Sequence, residues 1–125
     1  MESTFKMQSS DGDIFNFKLK WVLQSLVLFE LLTNRSTDST IELTDVNSKE
    51  AEFVIEWCEQ CENGEKPSCE EWSMAYAQNA IDIAIRLQMA LLLECAMEQS
   101  SRRINADLAA VENKLNQVNS MYRAT

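Results

Sequence analysis

Phe5-Lys6-Met7-Gln8-Ser9-Ser10-Asp11-Gly12-Asp13-Ile14-Phe15 is the stretch on which the fold class turns. Phe5 and Met7 alternate with Lys6 and Gln8, as side chains do on a strand with one buried face. Asp11-Gly12-Asp13 breaks the alternation with a turn signal, because Gly12 takes a positive φ without steric cost. Ile14 to Phe17 then resumes with bulky, strand-favouring residues. The stretch is read as a β-hairpin at the N-terminal end. Thr40-Ile41-Glu42-Leu43 alternates again, with Ile41 and Leu43 on one face, and is read as a third strand.

Outward from these strands the pattern becomes helical. Lys18 to Gln24 reads as a short helix. Leu26 to Leu32 reads as a second, nearly all apolar and therefore buried, followed by a polar loop from Asn34 to Ser39. Asn47 suits a helix N-cap, and Glu50 three residues later completes a capping-box pattern. Ala51, Val54, Ile55, Cys58 and Cys61 recur at helical spacing, with Phe53 and Trp57 on an adjoining face. Asn63-Gly64 is the expected end of that helix. Glu65 to Glu71, with Pro67, reads as a loop. Between 79 and 88, Ile81, Ile83, Ile85 and Leu87 alternate like a strand. Ala80, Ala84 and the run into Ala90-Leu91-Leu92-Leu93 favour a helix, which is the reading adopted. Ala90 to Arg103 reads as a further buried helix. Ile104, Leu108, Val111, Leu115, Val118 and Tyr122 then recur every four or three residues, an apolar stripe close to a heptad seam. Asp107, Glu112, Asn113, Gln117 and Asn119 lie off that stripe. Such a stripe either packs on its own domain or serves a partner groove or a helix pair. The division expected is a domain over 1–103 and an amphipathic helix, partner-binding or dimerising, over 104–125.

Composition narrows the class. A chain of 125 residues, 46% of them hydrophobic, supports one core. Two Gly and one Pro are too few for many short strands and turns. The expected class is α/β (α+β), a short three-stranded sheet flanked by a helical cluster. Histidine is absent, which removes the commonest general base and every His-based metal site. A net charge of −9 leaves too few cations for a nucleic-acid or anionic membrane surface. Residues 41–72 hold ten acids and two lysines, either a solvated face or a surface that steers a basic partner.

Cys58, Cys61, Cys69 and Cys95 invite a zinc reading. Cys58 and Cys61 fall inside a helical pattern and Cys95 lies 26 residues beyond Cys69, so all four read as small buried hydrophobes. No Gly-rich phosphate loop and no nucleophile–base pair is present. No enzyme activity, cofactor, metal or small-molecule substrate is expected. No basic stretch leads into an apolar run at Met1-Glu2-Ser3-Thr4, and no apolar run approaches a bilayer span. The chain is expected to be soluble, in the cytoplasm, the nucleus or both.

The hairpin stretch from Phe5 to Phe15 closely resembles the opening of the S-phase kinase-associated protein family, the F-box adaptors related to elongin C. Gln24-Ser25 falls where that family has Gln-Ser after its first short helix. Asp45-Val46-Asn47 and Val54-Ile55-Glu56-Trp57-Cys58 resemble its Asn-Val-Asn and Val-Ile-x-Trp-Cys segments. Leu92-Leu93-Glu94, with Ile104 ten residues on, resembles its later Leu-Leu-Asp helix. The resemblance spans residues 5 to about 104. It implies the BTB/POZ fold and an adaptor in an SCF-type ubiquitin ligase, holding a cullin through the BTB part and an F-box substrate receptor through C-terminal helices. The family's Asn-Tyr-Leu-Asp segment contributes to cullin contact. Its place is taken here by Ile85-Arg86-Leu87-Gln88, where only the leucine matches. Ile104, Leu108, Val111, Leu115, Val118 and Tyr122 become the expected F-box or dimer surface. Val111-Glu112-Asn113-Lys114-Leu115-Asn116 loosely resembles the family's Ile-Arg-x-x-Phe-Asn-Ile segment, and the sequence ends at Thr125 before a further helix with a tryptophan. The alternative expectation is a relative that has left the ligase and serves as a dimerising scaffold, since BTB folds commonly self-associate.

Overall fold

The computed structural model describes residues 3–35, 39–62, 67 and 69–124. Its elements in chain order are β1 (Thr4–Gln8), β2 (Ile14–Lys18), α1 (Leu19–Val22), α2 (Leu26–Asn34), β3 (Ile41–Glu42), α3 (Ser48–Cys61), α4 (Met74–Leu87) and α5 (Ala90–Ala124). The α/β class and the three-stranded sheet with flanking helices are as the sequence predicts.

β1 and β2 pair antiparallel, with Phe5 opposite Phe17 and Met7 opposite Phe15. This register puts all four side chains on one face, where Met7 and Phe17 are fully buried. Gly12 sits in the connection at φ +96°, and its N–H donates to the Ser9 carbonyl at 3.0 Å. A side chain there would be strained, which is why the turn needs glycine. β3 lies parallel to the other edge of β1, Met7 opposite Ile41, giving the order β2-β1-β3. The strand expected over Thr40–Leu43 shortens to Ile41–Glu42. Ile41 and Leu43 are nevertheless both buried, and the Leu43 N–H still donates to the Gln8 carbonyl at 2.8 Å.

The capping box forms as the sequence predicts. Asn47 Oδ1 accepts from the Glu50 N–H at 2.9 Å, and Glu50 Oε1 accepts from the Asn47 N–H at 3.1 Å. Asp11 in the hairpin turn also caps this helix, accepting from the Ser48 N–H at 2.9 Å. Hydrogen bonds from Ser9 and Ser48 hold the Asp11 carboxyl below the usual carboxylate range. The sheet is thereby fastened to the N-terminus of α3. The Asn63-Gly64 stop lies outside the described residues, as do parts of the two expected loops.

Helix boundaries differ from expectation at several places. Lys18 belongs to β2, so the first helix is Leu19–Val22, and α2 extends to Asn34. The ambiguous 79–88 region is helical, and its helix begins earlier, at Met74, with Ser73 Oγ accepting from the Tyr76 N–H at 3.1 Å. Helical period places Ala77, Ala80, Ala84 and Leu87 in the core and leaves Ile85 outside. The two helices expected over 90–103 and 104–122 are one continuous helix. The polar run Gln99-Ser100-Ser101-Arg102-Arg103 ends the burial but contains no Gly or Pro to end the helix.

α2 starts where α4 ends. Gln88 turns the chain through the left-handed region at φ 51°, and its carbonyl accepts from the Leu26 N–H at 3.3 Å. Ser25, fully buried, accepts from the Leu28 N–H at 3.1 Å and donates to the Leu87 carbonyl at 2.5 Å. One hydroxyl therefore closes two helix ends. Ser25→Ala leaves a buried N–H and a buried carbonyl short of a partner and is expected to cost about 1–3 kcal/mol. Urea unfolding reads this directly, and a loss below about 0.5 kcal/mol, the range of ordinary surface substitutions, would contradict the joint.

The core runs from Met7 and Phe17 through Val22, Leu28 and Val54 to Leu92. Trp57, Trp72, Phe53 and Tyr76 form an aromatic cluster with ring centroids 5.0 to 6.2 Å apart between α3 and α4. Cys58, Cys69 and Cys95 are buried and Cys61 half-buried.

Candidate partner-binding surface

α5 has two parts along one axis. Its first turns supply Leu92, Cys95 and Ala96 to the core. Gln99 is buried and donates to the carbonyls of Glu70 and Trp72, both at 3.1 Å. Arg103 Nε donates to the Trp72 carbonyl at 3.2 Å, and Arg102 pairs with Glu98 at 2.8 Å. From Ser101 through Arg123 every residue is exposed. The change from buried to exposed occurs within an unbroken helix, so the docked turns set the direction of the exposed ones.

Ile104, Leu108, Val111, Leu115, Val118 and Tyr122 are all exposed, Leu115 by 56%. The stripe is not covered by its own domain, the outcome the heptad spacing alone left open. Single exposed apolar residues are ordinary on protein surfaces, but an aligned row of this length marks an interaction site. Met97, 54% exposed, stands seven residues before Ile104 and continues the row toward the body. The seven-residue interval was available in the sequence, hidden because Ala90–Arg103 reads as buried throughout.

The second expected surface divides. Ile85, Arg86 and Leu87 follow one another at about 100° around the α4 axis, and Gln88 leaves the helix through the left-handed turn, so the four cannot share a face. Ile85 is 59% exposed and Gln88 is exposed at the helix end, whereas Leu87 is 2% exposed and belongs to the core. Leu87 is therefore withdrawn from the cullin-surface residues. Arg86 is half-buried and committed within the chain. Its guanidinium pairs with Glu50, donates to Asp82 Oδ2 at 2.7 Å from Nη2, and donates to the Asp45 carbonyl at 2.6 Å from Nη1. Glu50 thus closes the capping box with one oxygen and tethers α4 to α3 with both.

The Arg86 hydrogen bonds hold the Glu50 carboxyl below its ordinary value of 4.5, against the opposing effect of partial burial. A depressed carboxylate contributes stability that is complete above pH 4.5 and fades as pH falls through the lower folded value. Glu50→Gln keeps a capping oxygen and removes the charge. It is expected to lower stability at neutral pH by about 1–3 kcal/mol and to flatten the acid limb. Equal acid limbs in thermal melts of the two proteins would contradict this tether.

Elsewhere the electrostatics are structural. Glu62 accepts from Trp21 Nε1 at 2.7 Å and pairs with Lys18 and Lys20, at 3.0 and 3.4 Å. Lys18 chiefly holds its carboxyl below the usual range. Burial pushes the Cys58 thiol up to about 12 and the Cys61 thiol also upward, which works against thiolate chemistry at either. Among the described residues no group of His, Cys, Asp or Glu is arranged to hold a metal ion, and no helix is long and apolar enough to cross a membrane. Glu52, Glu56 and Glu59 line the solvent side of α3, so the acid-rich region is partly internal tether and partly open surface.

The sheet, the capped α3 and the Val54–Cys58 core strip lie within the part of the chain that matches a known family. Residues 3–63 match the Skp1 family, tetramerisation domain, a POZ domain. This segment is similar to a Skp1-family POZ domain. No curated protein matches the chain. A Skp1-type POZ domain is a protein-interaction module of the adaptor kind. The match stops short of α4 and α5, so the exposed stripe and the Ile85–Gln88 turn lie outside the matched POZ segment.

Proposed function

We propose that this chain is a non-enzymatic adaptor of the Skp1 type, joining a cullin scaffold to an F-box substrate receptor in an SCF-type ubiquitin ligase of the cytoplasm or nucleus. One observation carries the reading. A Skp1-family POZ body anchors a long helix whose apolar row, Ile104 to Tyr122, is open to solvent. An F-box helix laid along that row would bury apolar surface on both sides, the usual helix-in-groove mode. The cullin would meet the POZ body near Ile85 and Gln88. Titrating an F-box segment into the chain tests the reading, with saturable one-to-one binding expected. Heat-free mixing at tens of micromolar, with no complex on gel filtration, would overturn the F-box assignment.

A second reading, a self-associating scaffold outside the ligase, is favoured by the internal commitment of Arg86. The guanidinium is tied to Glu50, Asp82 and the Asp45 carbonyl and has little left to offer a cullin.

A further inference from the structure

The exposed row on α5 has a heptad register that can be written out. With Leu108, Leu115 and Tyr122 at position a, position d holds Met97, Ile104, Val111 and Val118, and Ser101 fills the remaining a position. Met97 to Tyr122 is about 38 Å of helix at 1.5 Å per residue and close to four heptads, the length at which a repeat specifies a coiled coil. A helix of that length exposing one apolar face gains little from propensity alone, and a facing helix supplies the missing burial.

The flanking charges choose the partner's direction. Asp107 and Lys114 occupy g, and Asn105, Glu112 and Asn119 occupy e. In a parallel pair each g faces the e five residues on in the other helix. That would set Asp107 of each copy against Glu112 of the other, two like-charge contacts, with no opposite-charge contact in return. In an antiparallel pair g faces g and e faces e. Pairing Leu108 with Val111 of a second copy, and Leu115 with Ile104, sets Asp107 against Lys114 twice and Asn105 against Glu112 twice. Tyr122 then meets Met97, and Ser101 meets Val118, so every core layer is filled. Sliding this pairing by a heptad in one direction brings Lys114 against Lys114 and Glu112 against Glu112. Sliding it in the other brings Asp107 against Asp107.

We propose that α5 pairs antiparallel with α5 of a second copy of this chain over Met97 to Tyr122, placing two POZ bodies at opposite ends of a short coiled coil. The proposal rests on reading the row as a docking face and names the occupant. Its charge register, unlike simple apolarity, fits this chain to itself.

Sedimentation equilibrium of the whole chain under reducing conditions is the test, with three variants. The wild-type chain is expected at twice its monomer mass at tens of micromolar, and Leu115→Asp at the monomer mass. Asp107→Lys separates the orientations. Antiparallel pairing sets the new lysine against Lys114 at two places and is expected to weaken the dimer about tenfold, from surface-pair energies below about 1 kcal/mol each. Parallel pairing would set it against Glu112 and tighten the dimer. Asp107→Lys combined with Lys114→Asp is expected to restore the wild-type affinity. A monomeric wild-type chain would overturn the proposal. So would a dimer tightened or left unchanged by Asp107→Lys. A monomer that still binds an F-box segment would remove the self-pairing and leave the docking face standing.

Discussion

Leu115→Asp is expected to abolish capture of a helical partner while leaving the fold untouched. Leu115 lies mid-row on α5 and is 56% exposed, so the body loses no packing when it is replaced. Exposed substitutions usually move stability by no more than about 0.5 kcal/mol, and the helix propensity of Asp against Leu is a cost of similar size. Binding is affected much more. A central apolar anchor in an interface is worth about 2–4 kcal/mol, and a carboxylate in its place must also be desolvated against apolar neighbours. The affinity for an F-box segment is expected to fall by about a hundredfold or more. Titration calorimetry against that segment, paired with a thermal melt, reads both quantities. Retained affinity would remove the α5 row from the interface, and a collapsed melt would mean that the row belongs to the core.

Trp57→Ala is expected to show the opposite pattern. Trp57 is 2% exposed, its ring lies 6.1 Å from Trp72, and its Nε1 donates to Gln24 Oε1 at 3.2 Å. Truncation removes the ring from a packed site between α3, Gln24 and the chain before α4. It also leaves the Gln24 amide without that donor. The expected cost is about 3–5 kcal/mol, a large part of the stability of a domain of this size. Denaturant unfolding measures it, and a loss under about 1 kcal/mol would mean that the aromatic cluster is not the structural joint described above. Phe53, at the half-buried edge of the same cluster, is expected to cost less when truncated to Ala.

The contrast between Leu115 and Trp57 also marks what was legible in the sequence. Trp57 announces burial because it adjoins the face set by a helical repeat behind a strong cap. The hairpin was legible because period-two alternation around Gly12 has one reading. The Asn47–Glu50 box was legible because its two hydrogen bonds are local. The errors arise where signals are not local. The end of burial at Gln99–Arg103 looks like the end of a helix, yet a helix stops at a cap or a breaker, and neither is present. The N-cap of α4 is Ser73, whereas the apolar repeat strengthens only at Ala80, so a start read from that repeat falls late, near Asn79. Leu87 reads as a partner-surface residue only while the family's four-residue segment is taken as one unit. On a helix such a segment cannot face one way. Arg86 reaches Glu50 across thirty-six positions, and no spacing rule anticipates that tether.

The acid-rich stretch has a comparable mixture. Glu50 and Glu62 hold neighbouring elements together, while Glu52, Glu56 and Glu59 line an open helix face. Its charge therefore both stabilises the body and remains available to steer a basic surface at low ionic strength.

The adaptor reading requires two protein partners on one chain at the same time. The most direct measurement is gel filtration with light scattering on the chain mixed with a cullin N-terminal domain and an F-box segment. With the F-box segment displacing a second copy from the α5 row, the account predicts a single peak with the summed mass of one copy of each, from which the F-box segment alone drops out when Leu115→Asp is used. Separate elution of the chain from both partners would contradict it.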